Sequence, residues 1–179
     1  MNNKAIIIKT LTDGVDQFNE LINSLNEENF EANYNSKWSA GQDLVHLIKV
    51  LGIVNIGFTL PKFLLRLLYG ANKKEARSFD ELQTLYKKSL DGGAKSPTIY
   101  IPKPVSFNDK DSLVSKHTSL NQAFIKKIEA HSDFELDTYR LPHPILGKVS
   151  LRELTLFTAL HTTHHLELLK QKLVQKESL

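Results

Sequence analysis

Four long stretches of this chain carry apolar residues at every third or fourth position, and no other feature constrains its fold as much. The first 25 residues show this spacing most regularly, at Ile7, Leu11, Val15, Phe18, Ile22 and Leu25. An apolar stripe with this period covers one face of an α-helix, and that face must pack against another element to leave water. The sequence therefore predicts long amphipathic helices that associate through their apolar faces.

Three capping boxes mark where helices begin. In each box a serine is followed three positions later by glutamine or glutamate, as in Ser39 with Gln42, Ser78 with Glu81, and Ser150 with Glu153. The two side chains accept hydrogen bonds from backbone N–H groups that the first turn leaves unpaired. Together with the apolar spacing, these boxes predict helices over 1–25, from 40 to a break near 59–61, from there to 68, from 79 to about 91, over 111–131, and over 151–175.

Two segments lack helical spacing. Residues 94–109 contain three prolines, which block a regular helix and leave an extended segment at most, over 98–101. Residues 132–149 contain Pro142, Pro144 and Gly147, which are typical of a structured loop. With no convincing pair of strands, the sequence predicts an all-α four-helix bundle with short additional helices, in one domain over residues 1–179. Because two connections are long, the order of the helices around the bundle stays open.

Composition limits the classes of partner and compartment. The 23 Lys and Arg against 20 Asp and Glu give a net charge of +3, and the charges alternate in sign along the chain. This bias is too weak to indicate nucleic-acid binding, so we expect no nucleic-acid partner. The chain has no Cys, which excludes disulfides, thiolate metal sites and a cysteine nucleophile. The absence of Cys and the short apolar run at the N-terminus favour a cytoplasmic protein.

The most apolar region, residues 44–69, predicts no membrane span. His46, Lys49, Lys62 and Arg66 interrupt it, and its uncharged part over 50–61 has 12 residues. A bilayer requires about 20 apolar residues. Core packing is the favoured interpretation of residues 58–69, and a membrane-surface role or a subunit contact, as in a homodimer, is the alternative.

Three of the seven histidines fall within five residues of the last predicted helix. At about 100° per residue, His161 and His165 lie about 40° apart on one face, and His164 lies about 60° to the other side of His161. Leu154 and Leu168 flank His161 on the same line, so this face points inward. Two buried imidazoles at positions i and i+4 can bind one metal ion, which would also satisfy their ring nitrogens.

Two ligands hold a metal weakly, so a third must come from another helix. His46 is the best candidate because it lies among apolar residues of the second long helix. A core histidine bonded to a protein acceptor is the alternative, and for His46 taken alone it is the favoured one. The presence of the pair His161 and His165 shifts the interpretation of His46 towards a metal ligand.

Two segments resemble one family. Residues 38–46 read WSAGQDLVH, with His eight positions after Trp, and residues 143–153 read HPILGKVSLRE, followed by His161, His164 and His165. Both are similar to signatures of the DinB-like superfamily. The resemblance implies a four-helix bundle with a divalent metal held by His46, His161 and His165. Family members often carry Gln three positions after the last ligand, where this chain has Leu168.

The resemblance also implies a function class. Relatives include transferases that use low-molecular-weight thiols such as bacillithiol or mycothiol, and others are regarded as metal-dependent hydrolases. We therefore expect a metal-dependent enzyme acting on a small-molecule substrate, of the thiol S-transferase type, with zinc or nickel favoured over manganese or iron. The alternatives are a hydrolase that uses metal-bound water and a bundle that binds a metal or small molecule without turnover.

Other residues near the two motifs receive simpler interpretations. We expect His164 to pack on a helix flank, with a substrate-facing role as the alternative, and Trp38 to staple its helix, with pocket lining as the alternative. His143 is expected to fix its loop, and His117 and His131 are expected at the surface or on a helix flank. Glu153 is assigned to its capping box, and no general base is identified.

Overall fold

The computed structural model describes residues 3–33 and 37–177. Within these ranges the prediction of an all-α fold is confirmed, apart from one short hairpin. The helices are α1 Lys4–Ser24, α2 Glu27–Glu31, α3 Ala40–Gly57, α4 Lys62–Tyr69, α5 Phe79–Asp91, α6 Lys110–Ala130, α7 Asp133–Thr138 and α8 Leu151–Glu177. The hairpin pairs β1 (Arg140–His143) with β2 (Gly147–Ser150) in antiparallel register. Residues 1 and 2 of the first predicted helix lie outside the described residues.

The four long helices α1, α3, α6 and α8 form the bundle. Helices α1 and α3 each pack against both α6 and α8 rather than mainly against each other. This arrangement is possible because long connections follow α3 and α6, as the sequence indicated, and a further one follows α1. Helix α5, α7 and the hairpin pack on α8, and α4 packs on β1.

Two apolar clusters fill the bundle, and a polar layer separates them along α8. One cluster joins residues from the four long helices, α4, α7 and both strands, including Leu11, Leu51, Phe124 and Leu151. The other lies further along the same helices and includes Phe18, Ile22, Leu44, Leu166 and Leu169. Between the two, α8 buries four polar side chains, namely Thr158, His161, Thr162 and His165. The helix pattern therefore places the predicted histidine pair in the middle of the bundle.

The capping boxes at Ser39, Ser78 and Ser150 all form. The helix ends predicted from them agree with the structure within a few residues. The break after α3 also occurs as predicted, because Pro61 cannot continue a helix and directly precedes α4.

Several short features were not predicted. Helix α2 follows an Asn26 cap, and α7 begins with a further capping box of Ser132 and Glu135 inside the expected loop. The expectation of no strand pair is wrong: Leu141 and Val149 pair across the hairpin and are both buried, and Gly147 adopts the positive φ of 73° at the turn. The expected extended segment over 98–101 is instead a 3₁₀ turn at Thr98–Tyr100.

Helix α4 departs from the core packing expected for residues 58–69. Leu65 is buried, but Phe63 and Leu67 are 74% and 77% exposed. No single helix in the described ranges is long and apolar enough to cross a bilayer; α3 and α4 reach that length only together, with a bend of 102° between them. A membrane-surface or subunit contact of α4 stays a prediction.

Candidate metal centre

His161 and His165 lie one turn apart on α8 and face the bundle interior, as predicted. Their side chains are 7% and 6% exposed, and their ring centroids are 4.7 Å apart. Phe157 stacks on the ring of His161 at 5.7 Å. The apolar residues before and after the pair bury this face of α8, and therefore the two imidazoles share one protected volume.

His46 of α3 completes a cluster with this pair. Its Nε2 atom lies 3.3 Å from Nε2 of His161, and its ring centroid lies 4.9 Å from that of His165. One ligand nitrogen from each of the three rings lies within 4.8 Å of the other two. The structure thus brings together the three histidines that the sequence analysis singled out.

Partners of the other ring nitrogens set the orientation of two of these rings. Nδ1 of His46 donates to the carbonyl oxygen of Tyr100 at 3.1 Å, and Nδ1 of His165 donates to Oδ1 of Asp43 at 3.1 Å. A ring that carries its proton on Nδ1 has a free lone pair on Nε2. Such hydrogen bonds are the usual means by which proteins orient histidine ligands and raise their basicity.

A buried charge pair supports this arrangement behind the rings. The ammonium of Lys172 pairs with Oδ2 of Asp43 and also donates to the carbonyl oxygen of Trp38 at 2.9 Å. Burial raises the pKa of Asp43, and the neighbouring Lys172 opposes that shift. A buried carboxylate with two donors on its two oxygens is held in a single position. Asp43 therefore links α3 to two side chains of α8.

Burial also sets the protonation state of the three rings. It lowers the pKa of His161 and of His165 well below the ordinary value, and it lowers the pKa of His46. The dominant cause in each case is the cost of placing a charged imidazolium away from water. At neutral pH all three rings are uncharged, which is the form that donates a lone pair to a metal.

The separation of the His46 and His161 nitrogens fits a tetrahedral ion. Two imidazole nitrogens at about 2.0–2.1 Å from a zinc ion with tetrahedral angles are about 3.3 Å apart. The Nε2 atoms of His46 and His161 are separated by 3.3 Å. Three neutral imidazoles with the remaining position open form a ligand set typical of catalytic rather than structural sites. The cluster can therefore hold a divalent metal ion.

A cavity of about 600 Å³ opens onto the cluster. That volume lies within the range of small-molecule sites. Its wall includes His164, Ser96 and Tyr86. Burial raises the pKa of Tyr86 to about 12, so its hydroxyl keeps its proton at neutral pH. The buried hydroxyl of Ser96 has no hydrogen-bond partner within residues 3–33 and 37–177.

Comparison with known families agrees with these features. The sequence model of the DinB superfamily matches residues 10–169. The chain belongs to the DinB superfamily. No curated protein sequence matches this DinB-superfamily chain significantly.

One solved structure shows the same fold. It is the colibactin self-resistance protein ClbS, solved in complex with double-stranded DNA, with a TM-score of 0.55, 16% sequence identity and coverage of 96% of each chain. This finding corrects the expectation that the DinB-superfamily chain has no nucleic-acid partner. That expectation rested on the small net charge and on the alternation of charges along the chain, whereas ClbS is seen in complex with DNA.

Two aromatic or imidazole side chains near the motifs line the cavity. His164 is partly buried there beside Tyr86, at 5.3 Å between ring centroids, so the substrate-facing alternative describes its position better than flank packing. Trp38 lines the cavity as well, 4.9 Å from the ring of His46. Leu168, at the position where DinB-superfamily members often have Gln, is a third lining residue.

The remaining histidines serve the fold. Nδ1 of His143 accepts hydrogen bonds from the backbone N–H groups of Ile145 and Leu146, which confirms that it fixes the hairpin turn. The surface or flank positions expected for His117 and His131 are wrong, because both side chains are buried. The apolar face of α6 turns His117 inward, and His131 is held at the end of the same helix by the carbonyl oxygen of Lys127.

Sequence analysis missed Asp43, Lys172 and Tyr100. Two of them carried a signal in their spacing: Asp43 precedes His46 by three positions and Lys172 follows His165 by seven, so each shares a helix face with a proposed ligand. Tyr100 contributes a backbone carbonyl from a proline-rich connection, and no side-chain pattern reports such a group.

Glu153 is confirmed in its capping box and also pairs with Arg77 at 2.6 Å.

Proposed function

We propose that this chain is a metal-dependent enzyme that transfers a low-molecular-weight thiol to an electrophilic small molecule. His46, His161 and His165 would hold one divalent ion, with zinc or nickel favoured over manganese or iron. The observation that carries the proposal is the convergence of three neutral imidazole nitrogens on the wall of a cavity. A core that needed only packing would fill this volume with apolar side chains.

The bound ion would supply Lewis acidity, which lowers the pKa of a thiol or of water. The chain itself has no Cys, so the thiol must come from a cosubstrate. Hydrogen bonds that His46 donates to the carbonyl oxygen of Tyr100 and His165 donates to Asp43 keep these ligand rings in position while substrates exchange. Tyr86 and Ser96 offer hydroxyl groups inside the cavity, which suit the polar part of a bound substrate.

Conjugate formation by metal-loaded protein tests this proposal. Protein purified without a metal-affinity column is stripped, reloaded with zinc or nickel, and incubated with an electrophile panel and one thiol at a time. We expect conjugate only when thiol, metal and intact cluster are all present. The His161→Ala variant should form none, and the matched His131→Ala variant, altered in a buried histidine outside the cavity, should retain activity. Conjugate formed equally by stripped protein would contradict the proposal.

Hydrolysis is the second candidate reaction. It uses the same three ligands and the same open position, with water in place of the thiol. Product that appears with metal but without thiol, in the same assay, would favour it. Absence of both products over the whole panel would favour a bundle that binds a metal or small molecule without turnover.

Double-stranded DNA is a second candidate partner. ClbS is solved with DNA, and residues 44–74 of this chain contain five cations and no acidic residue. Cations that neutralise phosphates give an affinity that falls steeply with salt. The test is fluorescence anisotropy of a labelled duplex at two salt concentrations, with the exposed Arg66 replaced by Gln. Binding that weakens with salt and in Arg66→Gln would support a DNA partner, and no binding at low salt would contradict it.

A further inference from the structure

The cavity continues far beyond the histidine cluster, along the inner face of α3. Its lining from this helix includes His46, Val50, Val54 and Gly57, at intervals of four, four and three residues. Eleven residues of helix span about 16 Å. The cavity is therefore an elongated channel with the imidazoles at one end, and a compact substrate at the cluster would leave most of it unfilled.

The two ends of this channel differ in chemistry. Its charged lining residues belong to segments that hold the cluster: Lys37 precedes Trp38, Lys95 lies in the connection leading to Tyr100, and Asp43 pairs with Lys172. The far part is lined by apolar side chains, including Leu60, Tyr69, Leu141 and Leu154. The separation of polar and apolar lining matches a ligand with a polar end and an apolar end.

The far part of the channel reaches the protein surface. Ile53 and Ile56 line it, and they are 39% and 63% exposed. An apolar chain can therefore enter from solvent without separating the bundle helices. Gly57 lets Leu141, another lining residue, pack closely against α3 at this end, since a Cβ atom on Gly57 would lie 2.7 Å from Cδ1 of Leu141.

We propose that the site takes an elongated amphiphile, with its polar head at the histidine cluster and an unbranched apolar chain along α3. The position of the head rests on the proposed metal-dependent function, and the position of the chain rests on the channel alone. An extended chain of about ten to twelve carbon atoms, together with its polar head, spans about 16 Å. Each methylene group transferred from water into such a channel strengthens binding about fourfold.

A chain-length series tests the proposal. Hexanoate, octanoate, decanoate, dodecanoate and tetradecanoate, each below its micelle concentration, are titrated by calorimetry into zinc-loaded and metal-free protein. Fluorescence of Trp38, the single tryptophan, reports arrival at the cluster end, because its ring lies 4.9 Å from that of His46. We expect Kd to fall about tenfold or more for each two carbons up to dodecanoate and then to level off. A Kd independent of chain length would overturn the proposal.

A blocking variant locates the chain. Val54 lies two turns from His46 inside the channel, and Val54→Phe should end the gain in affinity at octanoate. The matched control Ile6→Phe enlarges a half-exposed side chain of α1 outside the channel and should leave the series unchanged. An unaltered series in folded Val54→Phe would overturn the assignment. If this variant does not fold, the wild-type series decides by itself.

The two metal arms separate this inference from the proposed function. The dependence of Kd on chain length should be the same with and without zinc, because it reports only the channel. Zinc should strengthen binding of every carboxylate by a common factor, because it acts only on the head. If zinc left every Kd unchanged while Kd still fell steeply with chain length, only the metal-bound position of the head would be contradicted. If zinc strengthened binding strongly while Kd did not change with chain length, the channel would be contradicted.

Discussion

The bundle buries histidines in two contrasting environments. At His117 the ring is 1% exposed, Nδ1 donates to Oδ1 of Asn19 at 2.8 Å, and the edge of Phe18 packs against it. At the cluster three buried rings each bring one nitrogen to within 4.8 Å of the other two, at the wall of a cavity. Burial lowers the pKa in both places. Burial alone therefore does not indicate a metal ligand, whereas convergence of several imidazole nitrogens on an open volume does.

Removal of one ligand histidine from the cluster should have the largest effect, and it should appear in the affinity for zinc. His46→Ala, His161→Ala or His165→Ala should each weaken zinc binding by about a hundredfold or more, since loss of a direct ligand exceeds the effect of losing its supporting hydrogen bond. Competition with a chromophoric chelator measures the affinity. His164→Ala is the matched control on the same helix turn and should bind zinc nearly as tightly as wild type. Equal weakening in His164→Ala would mean that the ligand set is misassigned.

Titration of His117 should affect the pH dependence of the free energy of unfolding and leave the affinity for zinc unchanged. Its pKa is lowered to about 4, against about 6.5 in an unfolded chain. The unfolded state therefore takes up a proton first as pH falls, and the stability that the neutral ring contributes is complete above about pH 6.5 and lost towards pH 4. The loss amounts to about 3 kcal/mol.

Urea unfolding of metal-free protein at several pH values measures that slope. In His117→Gln the amide can still donate to Asn19, but it does not titrate, so the decrease of stability between pH 6.5 and 4 should be smaller by about that amount. Its zinc affinity should equal that of wild type. A slope as steep in His117→Gln as in wild type would show that other groups cause the acid sensitivity.

Asp43 should give a smaller, purely supporting effect at the cluster. Asp43→Asn removes the charge that His165 and Lys172 share, so the ring of His165 becomes a weaker donor to the metal. We expect zinc affinity to fall about ten- to a hundredfold. Glu153→Gln is the control, because it removes another buried carboxylate paired with a cation, Arg77, without touching the cluster. A change in zinc affinity as large in Glu153→Gln would point to a general loss of stability.

Sequence periodicity was sufficient for the long helices and for the cluster. Position along a helix determines the face on which a side chain lies, so the spacing of His161 and His165 among leucines predicted their direction correctly. The same rule, applied to α6, would have placed His117 inside, because it lies four positions after Leu113 and seven before Phe124. That error came from assigning His to the surface by residue type.

Other parts depend on contacts that periodicity does not report. The hairpin forms because Leu141 and Val149 find a buried surface on the bundle, and four-residue strands carry too little alternation to be recognised. Tyr100 reaches His46 from a connection whose path is set by tertiary packing. The channel along α3 is likewise a property of the assembled helices, since it is the volume that the side chains leave unfilled.

X-ray absorption at the zinc edge of protein loaded with one equivalent of zinc tests the central claim most directly. The account predicts four light ligands, three of them imidazoles at about 2.0–2.1 Å, with the multiple-scattering features of histidine. The triple His46→Ala, His161→Ala, His165→Ala variant should lose these features together with tight binding. A shell of oxygen ligands without imidazole scattering in the wild type, or an unchanged spectrum in the triple variant, would contradict the assignment of the cluster as a metal centre.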